Sequence, residues 1–239
     1  MSGHSKWSTI KRQKGAADAK RGQTFTKLSN AITIAVRQGQ GVGDPNSNFK
    51  LRLAVDKARA ANMLKDNIER AISRAAGKLG EDVSELTYEG FAPGGVAVII
   101  ETVTDNKQRT FSEVKNIFEK NGGTLGNQGS VSYMFERKGE IIVKKNGMTS
   151  DELLNVGLEA GVEDMDEEGD LAFFYLDPTM LQKAKNHFDE KGIIIDNAEI
   201  IFKPTTYTSV DEPTQSKIMV IVEKLEELDD VQKVSTNLG

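Results

Sequence analysis

Hydrophobic residues in the first 80 positions recur with the period of an α-helix. The apolar face of the first predicted helix carries Phe25, Leu28, Ile32 and Val36, and the helix ends at the glycines of RQGQGVGDPNSN. A second helix is predicted over RLAVDKARA and a third over NIERAISRAAG, with Asn62 as the N-cap of the third. Because each helix has a single apolar stripe, we expect the three to pack together as a small bundle.

Beyond Gly80 the pattern changes to alternating strands and helices. GGVAVIIETVTD predicts a strand after a Pro-Gly-Gly turn, RTFSEVKNIFEKNGG an amphipathic helix, and SVSYMFER another strand. At the other end of the chain, Pro213 begins a helix and VQKVST predicts a last strand. These two groups of elements are predicted to form one domain from two separate stretches of chain.

The stretch between them is predicted to be complete by itself. Its strands are EIIVKK, 162–165, LAFFYL and GIIIDNAEIIF, with the acidic turn DEEGD before the third. Its helices are 151–160 and 178–187. The resulting βαββαβ order is that of a ferredoxin-like domain.

We therefore predict an α+β protein with three domains. The N-terminal helical bundle covers 1–80, the discontinuous α/β domain covers 81–136 and 205–239, and the inserted ferredoxin-like domain covers 137–204. No run of apolar residues is long enough to cross a membrane, the start MSGHSKW lacks the apolar core of a secretory signal, and the chain has no Cys. A cytoplasmic location is expected.

Charge is distributed unevenly along the chain. The first 80 residues hold 16 Lys and Arg against five acids, a net charge of +11, which leaves 15 basic and 31 acidic residues, a net of −16, in the remainder. Such an asymmetry within one chain is typical of a polyanion-binding part joined to a solvating or partner-facing part. An ordinary helical surface would mix the two signs more evenly.

The basic positions are candidates for phosphate contacts, which give strong, salt-dependent and sequence-independent affinity. The predicted nucleic-acid-binding residues are Lys6, Trp7, Lys11, Arg12, Lys14, Lys20, Arg21, Lys27, Arg70 and Arg74. Trp7 can stack on a base or anchor the bundle core, and the stripe of Arg70 and Arg74 can also be an ordinary solvated helix face. The third helix has few amide or hydroxyl side chains that could read bases, so the residues alone indicate a backbone binder of DNA or RNA.

Other sites are weaker candidates. Asn106, Lys107 and Arg109 crowd hydrogen-bond donors at a strand-to-helix junction, where an anion could bind or where Asp105 or Asn106 could cap the helix. The acidic run EDMDEEGD lacks the last ligand of a calcium loop, no glycine-rich turn has the P-loop pattern, and no local grouping suggests a catalytic triad. We expect no enzyme activity, cofactor, metal or small-molecule substrate.

Four stretches resemble the YebC family in their order along nearly the whole chain. They are GHSKWSTIKRQKGAADAKRGQTFTKL, RLAVDKARAANMLKDNIERAI, YEGFAPGGVAVIIETVTDNKQRT and GGTLGNQGSVSYMF. The resemblance implies three domains with the third inserted in the second, no cofactor, and either of two roles: DNA-binding transcription regulation, or translation regulation on the ribosome. One departure is Leu64, where the family commonly has Pro just inside the third helix, and the helix start should be slightly weaker for it.

The favoured hypothesis is a regulator that binds nucleic acid through its N-terminal bundle and associates with the ribosome through RNA phosphates. A DNA-binding transcriptional regulator is the close alternative. In a second alternative the protein is an adaptor that acts through the ferredoxin-like insertion. No membrane partner is expected.

Overall fold

The structure is a computed structural model that describes residues 21–77 and 83–239. Seven α-helices and eight strands lie in these ranges. In chain order they are α1 (Arg21–Gln38), α2 (Phe49–Ala60), α3 (Lys65–Ala76), β1 (Ser84–Ala92), β2 (Val96–Thr104), α4 (Lys107–Lys120), β3 (Thr124–Leu125), β4 (Phe135–Lys144), α5 (Ser150–Glu159), β5 (Asp164–Glu168), β6 (Leu171–Leu176), α6 (Leu181–Glu190), β7 (Ile195–Pro204), α7 (Glu212–Glu226) and β8 (Val231–Thr236).

The first three helices pack around one apolar cluster, as the helical periodicity predicted. Ile32, Val36 and Leu51 are fully buried at its centre. The loop between α1 and α2 is closed by Asn48, which N-caps α2 by accepting a hydrogen bond from the Leu51 N–H.

The start of α3 differs from the prediction at Asn62. The N-cap of α3 is Leu64, which has no side-chain capping bond, and Asn62 instead adopts a left-handed φ of 58° just after α2. Asn tolerates this conformation better than most residues do, so Asn62 ends the preceding helix. Leu64 therefore lies at the N-cap, one position before the place that the sequence indicated.

The first sheet is antiparallel and has the strand order β3-β1-β2-β8. Helices α4 and α7 cover one face, where Val98, Ile100 and Phe118 share a core with Ile221 and Val222. Two distant stretches of chain thus form one hydrophobic core, as predicted. β1 was not predicted from the sequence, because its alternation of Leu86, Tyr88 and Gly90 with polar residues contains a glycine, which weakens a strand signal.

The second sheet is also antiparallel and has the order β5-β6-β4-β7. Helices α5 and α6 pack on one face around Ile141, Phe174 and Phe188. The βαββαβ sequence of elements with this strand order is the ferredoxin-like arrangement. The predicted α+β class is confirmed, with N-terminal helices followed by two antiparallel sheets.

Two local predictions in this second unit are wrong. SVSYMFER and EIIVKK were expected to be separate strands, whereas a single turn of 3₁₀-helix at Ser132–Met134 leads into one continuous β4. Gly139 does not interrupt β4, because the missing side chain lets Leu181 pack close: a Cβ at this position would come within 3.2 Å of Leu181 Cδ1. The predicted division at residue 136 falls inside this strand and stays a prediction.

The acidic run is the second correction. Residues 164–168 form β5 itself, and only Gly169, with a left-handed φ of 56°, and Asp170 make the turn that was predicted for DEEGD. An acidic strand is compatible with this position because β5 lies at the edge of its sheet. The predicted helix over 178–187 begins with a 3₁₀ turn, Pro178–Met180, before α6.

The helical bundle and the two sheets meet at a cluster of ion pairs. Glu199 on β7 contacts Lys57 on α2 at 2.7 Å and Lys233 on β8 at 3.0 Å. Arg137 on β4 lies 3.7 Å from Glu101 on β2. These residues border a cleft of about 410 Å³ between α1, α2 and both sheets.

Candidate nucleic-acid interface

Most of the basic residues predicted to contact phosphates precede the described part of the chain. Lys6, Trp7, Lys11, Arg12, Lys14 and Lys20 lie outside the described residues, and Arg21 is described only as the first backbone position of α1. The remaining predicted residues, Lys27, Arg70 and Arg74, lie on α1 and α3. The structure brings two of these three together.

Arg70 and Arg74 line a groove between α1 and α3. The groove has a volume of about 280 Å³, and both arginines are exposed one helical turn apart. The Arg70 guanidinium donates to the Asp66 carbonyl at 3.2 Å and to the Asn67 side-chain oxygen. Both acceptors are uncharged, so the guanidinium keeps its positive charge uncompensated within the groove.

The opposite wall of the groove is polar and uncharged. It is formed by α1 side chains spaced three or four residues apart: Thr26, Ser29, Asn30 and Thr33. Asn67 and Val83 complete the polar and apolar lining beside Phe25 and Met63. Among the described residues that line the groove there is no carboxylate, so its described lining combines hydroxyl, amide and guanidinium groups.

These polar positions were not singled out in the sequence, although their helical spacing was visible there. Positions 26, 29, 30 and 33 fall on one side of the predicted first helix, about a quarter turn from the stripe that buries Leu28 and Ile32. A polar stripe is by itself ordinary for a surface helix. Only the position of α3 beside it makes the stripe one wall of a cationic groove.

Lys27 does not face this groove. Its ammonium donates to the Glu226 carbonyl at 2.5 Å, near the C-terminal end of α7. The neighbouring Gln23 amide donates to the Glu227 carbonyl at 3.0 Å. A cation at a helix C-terminus interacts favourably with the exposed carbonyls and the helix dipole, so Lys27 helps to dock α1 on the second domain.

The predicted anion-binding loop has a structural role at two of its three positions. Asn106 N-caps α4 by accepting from the Arg109 N–H at 3.0 Å. Arg109 forms ion pairs with Asp230 at 2.7 Å and with Asp105 at 2.8 Å. The hydrogen bond that Arg109 donates to the Asp230 carboxylate is the main cause that raises the pKa of Arg109. Lys107 is left exposed at the start of α4.

Asp230 was not found from the sequence and is the centre of this cluster. Besides Arg109, its carboxylate accepts from Thr110 at 2.7 Å and Thr104 at 3.0 Å. Burial alone would raise the pKa of Asp230, but these donors outweigh it and lower the pKa. The cluster ties α4 to the turn before β8, across 120 residues of chain.

The described ranges contain no group of three or more His, Asp or Glu side chains arranged to hold a metal ion. No helix in those ranges is long and apolar enough to cross a membrane.

Two family models together match nearly the whole chain. The model for the TACO1/YebC N-terminal domain matches residues 5–78, and the model for the TACO1/YebC second and third domain matches residues 83–238. This chain belongs to the TACO1/YebC family. The resemblance stated from the four sequence stretches is thereby confirmed.

Relatives of the TACO1/YebC family with similar sequences are named as regulators. The chain is 50% identical to a probable transcriptional regulatory protein of Treponema denticola, over 100% of this chain and 96% of the relative. It is 48% identical to a protein of the same name from Rubrobacter xylanophilus, over 99% and 95% of the two chains. A crystal structure of a conserved hypothetical protein from Aquifex aeolicus is similar with a TM-score of 0.86 and 44% identity, covering 93% of this chain and 91% of that one.

Proposed function

We propose that this chain is a cytoplasmic, non-enzymatic regulator of gene expression that binds nucleic acid through its N-terminal helices. In the favoured form of this proposal it is a ribosome-associated translation factor that contacts RNA phosphates. The observation that carries the proposal is the groove between α1 and α3, where the described lining residues place Arg70 and Arg74 among hydroxyls and amides and include no carboxylate.

The chemistry of this groove suits a phosphate chain. Guanidinium groups donate to phosphate oxygens in a fork geometry, and hydroxyl and amide side chains make further contacts to phosphate and sugar. The predicted contacts from Lys6, Lys11, Arg12, Lys14, Lys20 and Arg21 would extend this surface along the residues before α1. The acidic remainder of the chain would limit contact to this end of the molecule.

RNA is the favoured target because α3 carries few base-reading side chains, and the hydroxyls and amides of α1 line a groove rather than an isolated recognition helix. A large structured RNA offers dense phosphates and sugar hydroxyls that such a surface can bind without reading a sequence. The alternative, a DNA-binding transcriptional regulator, is favoured by the names of the relatives.

Cosedimentation separates these two alternatives. At physiological salt a translation factor is expected to migrate with ribosomes in a sucrose gradient and to leave promoter DNA unshifted in a gel. The reverse result would support the transcriptional role. An adaptor that acts through its ferredoxin-like unit would bind a protein partner and neither nucleic acid.

The groove itself is tested by the double variant Arg70→Ala/Arg74→Ala. Each phosphate contact releases counterions from the RNA when the protein binds. Losing one contact should therefore reduce the magnitude of the slope of log affinity against log salt by about 0.7 per arginine on single-stranded RNA. Fluorescence anisotropy of a labelled RNA across a salt series measures this slope.

The matched control is Lys115→Ala/Lys120→Ala, which removes the same charge from exposed positions of α4. The control should retain the wild-type slope. Equal slopes for both double variants would show that the groove does not contact phosphates.

A further inference from the structure

A buried carboxylate organises a surface loop far from the α1–α3 groove. Glu89 lies on β1 with only 3% of its surface exposed. Its carboxylate accepts hydrogen bonds from three backbone N–H groups of one loop: Gly129 at 2.9 Å, Val131 at 2.7 Å and Ser132 at 2.9 Å. Hydrogen bonds to an ionised acceptor are among the stronger ones in proteins, so Glu89 holds this backbone firmly.

Further backbone contacts close the same loop. The Gly126 N–H donates to the Glu89 carbonyl at 2.8 Å, and the Ser130 N–H donates to the Asn127 carbonyl at 3.1 Å. A Cβ on Gly126 would lie 2.4 Å from the Ser130 hydroxyl and 3.0 Å from the Ser130 Cβ, so any larger residue would force Ser130 to move. Residues 126–133, which we call the Glu89 loop, are therefore pre-organised before any ligand arrives.

The outward side of the Glu89 loop is aromatic and polar. Tyr133 exposes 73% of its surface, and Asn127 and Gln128, six and five positions earlier in the chain, are also exposed. Within the part of the chain that the structure describes, no hydrogen bond engages the two side-chain amides or the Tyr133 hydroxyl. Residues 121–135 contain no charged side chain, although 28% of the whole chain is charged.

The position of the loop relates it to the N-terminal helices. Val131 packs with Phe91 and Ile99 on the face of the first sheet opposite α4 and α7. On β1, Thr87 borders the cleft that α1 covers on that sheet. The four-residue separation of Thr87 and Phe91 along β1 corresponds to about 13 Å, so the part of the loop that packs on Phe91 lies near this cleft.

We propose that the Glu89 loop binds an unpaired RNA base, which stacks on Tyr133 and receives hydrogen bonds from Asn127 or Gln128. This inference rests on the proposed function and adds a second contact of a different kind. The loop has no positive charge to hold a phosphate, whereas an exposed aromatic ring binds the face of any base. A protein-docking site would surround the ring with exposed apolar side chains, whereas the other exposed residues of this loop are Asn127, Gln128 and Gly129.

The test compares Tyr133→Leu with Tyr133→Phe in the full-length protein. The probes are a single-stranded RNA that carries one 2-aminopurine and a blunt RNA duplex of equal length. Wild type and Tyr133→Phe should quench the 2-aminopurine fluorescence, since both have a ring. Tyr133→Leu should lose quenching and bind the single strand about 5- to 150-fold more weakly, with duplex affinity and the salt slope unchanged.

Three outcomes would overturn the inference. Wild-type affinity and quenching in Tyr133→Leu would show that no base stacks on the ring. An equal loss of affinity for the single strand and the duplex would show that Tyr133 contributes to RNA binding in general and not to the binding of an unpaired base. Unchanged RNA binding with lost ribosome cosedimentation would identify a protein contact. If the wild type binds neither the single strand nor the duplex at low salt, the proposed function itself is wrong, and this inference, which rests on it, is wrong as well.

Glu89→Gln tests whether the hydrogen bonds from the loop backbone to the Glu89 carboxylate matter for binding, and it leaves the aromatic ring of Tyr133 unchanged. The substitution removes the charge that holds three N–H groups, so the amides of Gly129, Val131 and Ser132 should exchange hydrogen faster. Single-strand affinity should fall with duplex affinity retained. Faster exchange without any loss of single-strand affinity would show that the loop geometry is irrelevant to binding.

Discussion

At the residue scale, a few buried polar side chains fix the loops that frame the surfaces described above. Asn48 is 7% exposed and, besides capping α2, donates to the Ala35 carbonyl at 2.8 Å and the Val42 carbonyl at 3.1 Å. One amide thus joins the end of α1, the following loop and the start of α2. The turn-rich composition of RQGQGVGDPNSN predicted this loop, but nothing in the sequence distinguished Asn48 from the exposed Asn46 two positions earlier. Burial, which depends on the packing of two helices, makes the difference.

Asn48→Ala should lower the free energy of unfolding by about 2 kcal/mol, because the variant loses a helix cap and leaves buried carbonyls without their donor. Urea denaturation measures this as a lower midpoint with an unchanged slope. The control Asn46→Ala, at an exposed position, should change stability by less than about 0.5 kcal/mol. Equal midpoints for the two variants would contradict the role of Asn48.

At the element scale, the sequence predicted helices better than it predicted strands and their ends. The stripes of α1, α2 and α3 repeat over three or more turns, so their apolar faces were visible. β1 contains a glycine, and β4 contains a glycine that packs under Leu181. In the linear sequence each glycine interrupts the pattern that predicts a strand. The start of α3 was misplaced because Asn62 suits both a helix cap and a left-handed turn. In the candidate site, Arg70 and Arg74 were found from charge, whereas the polar wall on α1 required the packing of two helices.

Leu64→Pro should stabilise the protein. Leu64 has a φ of −62°, which a proline ring adopts, and its side chain is 69% exposed. Restricting the unfolded chain at such a position contributes about 0.4–1 kcal/mol, a rise of about 1–4 °C in the thermal midpoint for a chain of this size.

The control for this change is Leu64→Ala, which removes the same exposed side chain without a ring and should leave the midpoint nearly unchanged. A midpoint for Leu64→Pro below that of Leu64→Ala would mean that the ring disturbs the turn between α2 and α3.

At the scale of the whole molecule, the relative placement of its parts depends on a junction that no sequence pattern revealed. Glu199, Lys57 and Lys233 come from three separate stretches of chain and meet between the helices and the two sheets. Ion pairs between residues far apart in the chain leave no local pattern in the sequence. The charge asymmetry therefore predicted a function for the first 80 residues, but it did not predict how the helices pack against the two sheets. Burial alone would raise the pKa of Glu199, but the two lysines outweigh it and lower the pKa far below its usual value.

This shift makes stability depend on pH. A carboxyl whose pKa is lower in the folded state stabilises the protein above the pKa of about 4.3 that it has when unfolded, and this contribution is lost as the pH falls below that value. Glu199→Gln should cost about 3 kcal/mol at pH 7, since two lysines lose their partner, and should flatten the stability profile between about pH 5 and pH 2.

The control is Glu136→Gln, which removes an exposed partner of Lys138 and should leave the profile close to wild type. Parallel profiles for wild type and Glu199→Gln in acid would show that another carboxyl carries the pH dependence. Chemical denaturation at each pH provides these curves.

The pairing of β4 with β7 has one more consequence. Phe135, the first residue of β4, lies opposite Pro204, the last residue of β7, so the chain enters and leaves the second sheet at neighbouring points. An ancestral protein could thus have acquired the whole ferredoxin-like unit at a single hairpin, with no rearrangement of the sheet that received it. By the same geometry, a protein that lost the ferredoxin-like unit would keep the rest of its fold, and a tight turn could join the two chain ends left at Phe135 and Pro204.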